Sequence, residues 1–86
     1  MNLLEVCQKV CNEHQCHNIR VFKGELQAQP WDGNKKGWTI LDATTANAFV
    51  CVYNHLRQDQ KEKLLGMEPF RALDIAWKTL KKVAGG

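Results

Sequence analysis

The hydrophobic pattern of this chain changes period twice, and that change restricts the fold more than any other feature. Near the start, Leu3, Val6, Cys7 and Val10 recur at three and four residues, the spacing of one helical face. In the stretch "NIRVFKGELQAQPW" the spacing drops to two: Ile19 and Val21 alternate with Arg20, and Leu26 and Ala28 alternate with Gln27 and Gln29. Period two is the signature of half-buried strands. From Ala46 onward helical spacing returns. The order helix, strands, helices predicts an α+β domain with the strands collected into one sheet.

Local signals set the expected boundaries. Asn2 is a competent N-cap for a first helix over Leu3 to His14, which the polar run Gln15 to Asn18 then ends. Gly24 marks a tight turn between two strands, and Pro30, which cannot donate to a ladder, belongs at a strand end or on an edge. "DGNKKG" is rich in turn formers and leads into "WTIL", a third short strand, so a three-stranded antiparallel meander is expected. Asp42 and Thr44 are both able to cap a helix over Thr45 to Leu56, with Ala46, Phe49, Val50, Tyr53 and Leu56 on one face and Ala48, Cys51 and Val52 widening it. "DQKEKLLG" reads as one or two helical turns capped by Asp59 and stopped by Gly66. Pro69 suits the first position of a last helix, with Phe70, Leu73, Trp77, Leu80 and Ala84 on one side. Arg71, Lys78 and Lys82 lie nearly opposite, and Gly85 and Gly86 end it. The expected architecture is therefore an N-terminal helix, a three-stranded sheet and two or three C-terminal helices packed on it.

At 86 residues, all of this belongs to one small domain, residues 1 to 86. The chain has no apolar run of membrane-spanning length, and "MNLLEVC" lacks the cationic start and apolar stretch of a signal peptide. A cytoplasmic protein without membrane association is expected, with Cys7, Cys11, Cys16 and Cys51 as reduced thiols; a disulfide framework would need an export route. Charge is uneven. Met1 to Leu56 carries five Lys or Arg against five Asp or Glu, and Arg57 to Gly86 seven against four, so the whole excess of +3 lies in the C-terminal third.

"CNEHQCH" places Cys11, His14, Cys16 and His17 within seven residues, as a metal site would. Tetrahedral zinc needs a second half-site, and the only candidates are Cys51 and His55 at i and i+4. Their distance from the first cluster matches no zinc-finger spacing, so Cys11, His14, Cys51 and His55 stand as a zinc alternative behind the reading of buried cysteines, Cys7 and Cys51, at a polar helix end. No cofactor motif is present. The chain has no serine, Gly33 and Gly37 form no phosphate loop, and a thiol with a base from Cys16 or Cys51 with His17 or His55 is placed together by nothing in the sequence. No catalytic residue is assigned, and the expectation is a protein that is not an enzyme.

"PWDGNKKGW" is the most suggestive stretch. Paired second and third strands would set Trp31 opposite Trp38, a stabilising pair; the polar neighbours Gln27 and Gln29 argue that this face is not covered by helices. An indole exposed beside Lys35 and Lys36 would suit a protein partner, a host protein or a second copy, so Trp31, Lys35, Lys36 and Trp38 are the expected contact group. The alternative is a nucleic-acid binder using the same loop with the Arg71, Lys78, Lys82 face.

The run "ILDATTANAFVCVYNHLRQDQKEKLLGMEPFRALDIAWK", about residues 40 to 78, resembles a pattern in small uncharacterised proteins of tailed bacteriophages and prophages. There a strand leads into "DATTAN", a "VYN" helix, a "KEKLL" link and an "AWK" helix. The resemblance is one of packing and capping and carries no site residues. It implies a small intracellular accessory protein that binds and redirects or inhibits a host protein.

Overall fold

The computed structural model describes the backbone of residues 2 to 84 and the side chains of residues 2 to 82. Its elements are α1 (Leu3–Glu13), β1 (His17–Phe22), β2 (Glu25–Pro30), β3 (Thr39–Leu41), α2 (Ala43–Asn54), α3 (Gln58–Gly66) and α4 (Pro69–Ala84). The α+β architecture is the one that the change of period predicts. The places of Ala84's side chain, Gly85 and Gly86 lie outside the described residues.

Caps explain most boundaries. Asn2 Oδ1 accepts from the Glu5 amide at 2.9 Å, and His14 ends α1 in the left-handed region at φ 53°. Of the two candidate caps for α2, Asp42 is used: its Oδ1 accepts from the Thr45 amide at 2.8 Å, so the helix starts at Ala43, two residues earlier than expected. Asp59 does not cap α3; it lies in the first turn, and Arg57 stands at the cap position with its amide donating to Gln60 Oε1 at 3.1 Å. A guanidinium cannot accept, so only half of a capping box forms there. Glu68 closes the start of α4, its two oxygens accepting from the Phe70 and Arg71 amides at 3.2 and 3.1 Å, with Pro69 at the first helical position.

The sheet is not a meander. Its strand order is β2-β1-β3, with β1 in the centre and antiparallel to both neighbours. The β1–β2 hairpin closes through Lys23 and Gly24, both at positive φ (51° and 79°), the geometry whose twist matches the flanking strands. Residues 31 to 38 then carry the chain from the free end of β2 across β1 to its far edge. There Thr39 pairs with Ile19 and Leu41 with His17.

Cross-strand partners share a face. His17, Ile19 and Val21, with Pro30, Ala28 and Leu26 and with Leu41 and Thr39, therefore form one face; Asn18, Arg20 and Phe22, with Gln29, Gln27 and Glu25 and with Ile40, form the other. The first packs on the helices: Ile19 and Leu41 join Leu3, Val6, Cys7 and Val10 of α1, Ala46, Phe49 and Val52 of α2, Leu64 of α3, and Ala72, Leu73 and Ala76 of α4 in one core. On α4 the buried stripe is centred on Ala72, Leu73 and Ala76, leaving Trp77 only half-buried. Small residues there let α4 pack close to α2.

The second face has no helix over it, yet Asn18 on it is only 1% exposed. The cover is the crossing loop, whose Gly33 carbonyl accepts from Asn18 Nδ2 at 3.1 Å. A buried amide is tolerated only with a partner, and this one ties the loop to the central strand. Asn18→Ala is expected to cost about 1 to 2 kcal/mol, or about 4 to 16 °C in Tm for a domain of this size. A Tm unchanged in a thermal melt would mean that the loop needs no such tie.

Candidate interaction face of the sheet

The uncovered part of the second face carries its own ordered cluster. Arg20 projects from the central strand with its Nε donating to Gln27 Oε1 on β2 at 2.7 Å. Its Cζ lies 4.5 Å from the Trp38 ring centroid and 4.9 Å from that of Phe22, both within cation–π range. Lys23 Nζ approaches the Phe22 ring to 5.5 Å. Phe22 and Ile40 stand 47% and 45% exposed on this face, and Trp31, at the head of the crossing loop, is 42% exposed.

The four residues expected to make contact all fall in or beside the loop, and the strand order changes their relation. Because β2 and β3 flank β1 and do not pair, Trp31 and Trp38 do not stand opposite each other. The Trp31 amide donates to the Cys16 carbonyl at 3.0 Å, extending the hairpin ladder, while Trp38 is half-buried against Arg20. A turn in which the Trp38 amide donates to the Lys35 carbonyl at 3.1 Å, with Gly37 at φ 83°, delivers Trp38 to that position. Lys35 and Lys36 are exposed, and Lys35 Nζ pairs with Asp32 at 3.2 Å.

The basic residues of the nucleic-acid alternative, Arg71, Lys78 and Lys82, are exposed on α4, in the helical layer and not on the face crossed by the loop. Lys78 is partly neutralised by Asp74 at 2.9 Å.

The zinc alternative is not assembled. Among the described residues no three His, Cys, Asp or Glu side chains come together to hold a metal ion. Cys11 Sγ donates to Asn47 Oδ1 on α2 at 2.9 Å, His14 is an exposed cap, and His55 Nδ1 lies 2.8 Å from the Cys51 carbonyl. Cys7 is fully buried as expected, but Cys51 is exposed, because the buried stripe of α2 runs through Ala46, Phe49 and Val52 and leaves its neighbour outside. Neither histidine weighed as a base meets a thiol. His17 donates from Nδ1 to the Gln15 carbonyl at 3.2 Å, and its Nε2 is buried with no partner among the described residues. Burial pushes the Cys7 thiol up to about 12, with a smaller push from Cys11, and Cys11 is itself raised by burial. Raised thiols are poor nucleophiles at neutral pH.

The sequence pointed to the loop and not to Phe22 and Ile40, which the structure places exposed on the face beside it. Phe22 carried a signal, since it follows Asn18 and Arg20 in steps of two on the polar side of the strand. Ile40 lies between two residues of the opposite face in a strand of three, too short for alternation to be read. No protein-family model, no curated protein and no solved structure matches this chain. No helix among the described residues is long and apolar enough to cross a membrane.

Proposed function

We propose that this chain is a non-enzymatic interaction domain that binds another protein through the uncovered sheet face and the loop that crosses it. The observation that carries the reading is the placement of Phe22, Ile40 and Trp31. These large apolar side chains stand exposed on or beside one face, while Ile19 and Leu41 of the strands turn into the core and Leu26 and Ala28 pack against it. A sheet face needs polar residues to meet water, and a cluster of aromatic, aliphatic and arginine side chains is the composition of a contact centre.

The nucleic-acid alternative is less well supported. Base stacking needs free aromatic faces, and Arg20 lies over the rings of Phe22 and Trp38 and Lys23 over that of Phe22, which leaves Trp31 as the exposed indole of the loop. The basic α4 stripe belongs to the other layer, so one strand of nucleic acid would have to wrap the domain to use both. The resemblance of residues 40 to 78 to phage accessory proteins makes a bacterial host protein the partner to seek, one whose activity this chain would modulate or inhibit.

The test is affinity capture from a bacterial lysate with the wild-type chain and with the double variant Phe22→Ser, Ile40→Ser, each with and without nuclease. Both side chains are about half exposed, so the variant is expected to stay folded. A protein retained by the wild type in both samples and lost from the variant is the expected result. Retention that vanishes with nuclease would put nucleic acid first. Equal retention by the variant would remove the sheet face from consideration.

A further inference from the structure

We infer that Arg20 is a preformed receptor for an acidic side chain of the partner, so that the surface recognised is a carboxylate set among apolar residues. The inference rests on the interaction reading above and adds the chemistry of what is bound. Arg20 is half-buried at the centre of the sheet, and three contacts hold it: Gln27 at Nε, Trp38 against the guanidinium and Phe22 beside it. A long side chain that would otherwise sample many rotamers is fixed before any partner arrives, which lowers the ordering cost of binding.

What the guanidinium lacks, among the described residues, is an anion. The ion pairs among the described residues are Lys35 with Asp32, Arg57 with Asp59 and Lys78 with Asp74, and none involves Arg20. Glu25 stands on the same face, opposite Phe22, and is in none of these ion pairs. Lys23, beside the Phe22 ring, adds a second cation that has no carboxylate partner among the described residues. Gln27 takes the Nε proton, and among the described residues no side-chain acceptor pairs with the terminal nitrogens.

A guanidinium offers donors in a planar fork that matches the two oxygens of a carboxylate. Ile40 and Phe22 supply apolar surface on the same face, which shields such a bond from water and strengthens it. A phosphate of a nucleic acid would satisfy the fork as well. It would find Ile40 where it needs charge, and the rings of Phe22 and Trp38 each with a cation already over it.

The test uses a display library of random 12-residue peptides, selected on the intact chain and resynthesised with acetylated and amidated ends so that every carboxylate is a side chain. Affinities are measured for the wild type and for Arg20→Lys, which keeps the charge and loses the fork, with thermal melts to confirm that both are folded. Selected peptides are expected to carry an Asp or Glu next to apolar residues. Changing that residue to its amide is expected to weaken binding to the wild type by about tenfold and to leave Arg20→Lys nearly unaffected. Peptides that depend on Phe22 and Ile40 but ignore both the acid and Arg20→Lys would overturn the inference and leave the interaction reading standing. No peptide sensitive to any change on this face would overturn both. Displacement of every selected peptide by an oligothymidylate would assign the fork to phosphate.

Discussion

Phe49→Ala is expected to remove about 3 to 5 kcal/mol of stability, enough to leave a domain of this size near or past its folding threshold at room temperature. The reason is position. Phe49 is the largest fully buried side chain among the described residues, it lies on α2, which packs against both α1 and α4, and its ring stacks 6.3 Å from that of Tyr53 on the same helix. Truncation leaves a cavity bounded by elements that cannot all close on it, since α2 is held at its start by Asp42. Urea titration followed by tryptophan fluorescence measures the loss, and Phe22→Ala is the comparison. Phe22 is 47% exposed, so its truncation is expected to cost less than about 1 kcal/mol. Equal costs for the two would mean that the core is not where these contacts put it.

The second large effect is alkaline. The Cys7 thiol ordinarily titrates at 9.0 and is pushed up to about 12 by burial in the native protein. Between those values the unfolded chain has lost its proton and the native chain keeps it, so the native state is disfavoured as pH rises. The slope is about 1.4 kcal/mol per pH unit, and the stability present below pH 9 declines through that window. Cys11, raised by burial too, acts in the same direction. Urea midpoints at several pH values from 8.5 to 11, compared between the wild type and Cys7→Ala, isolate the Cys7 contribution, because other alkaline titrations are common to both. Parallel lines for the two proteins would show that Cys7 ionises freely in the native state.

The limits of what the sequence revealed follow from the range of the forces involved. The change of period and the caps at Asn2 and Asp42 are local, and they located the helices and the hairpin. The edge of β1 that β3 joins is decided by a loop lying over the sheet and by a bond from Asn18 to a carbonyl 15 residues away. Nothing in "WTIL" distinguishes pairing with β2 from pairing with β1. The same gap explains the tryptophans: composition drew attention to their loop, but the partner of Trp38 is Arg20, on a strand that the meander would have kept from it. Cys51 was misplaced for a different reason. Periodicity gives the direction of a buried stripe more surely than its width, and α2 buries fewer residues on that side than the apolar run suggested.

The strand order also dictates how the chain must be assembled in time. The hairpin pairs residues at most 13 apart, from His17 with Pro30, and closes through two residues already suited to the turn. Pairs between β1 and β3 are 20 to 24 residues apart, so the entropy lost in closing them is greater and they form later. When β3 arrives it brings Leu41, wholly buried in the core, and Asp42, the cap of α2. The crossing that completes the sheet thus also seals the helices, and a ribosome that has released the chain only as far as the hairpin has made a two-stranded ribbon with α1 alone to cover its apolar side.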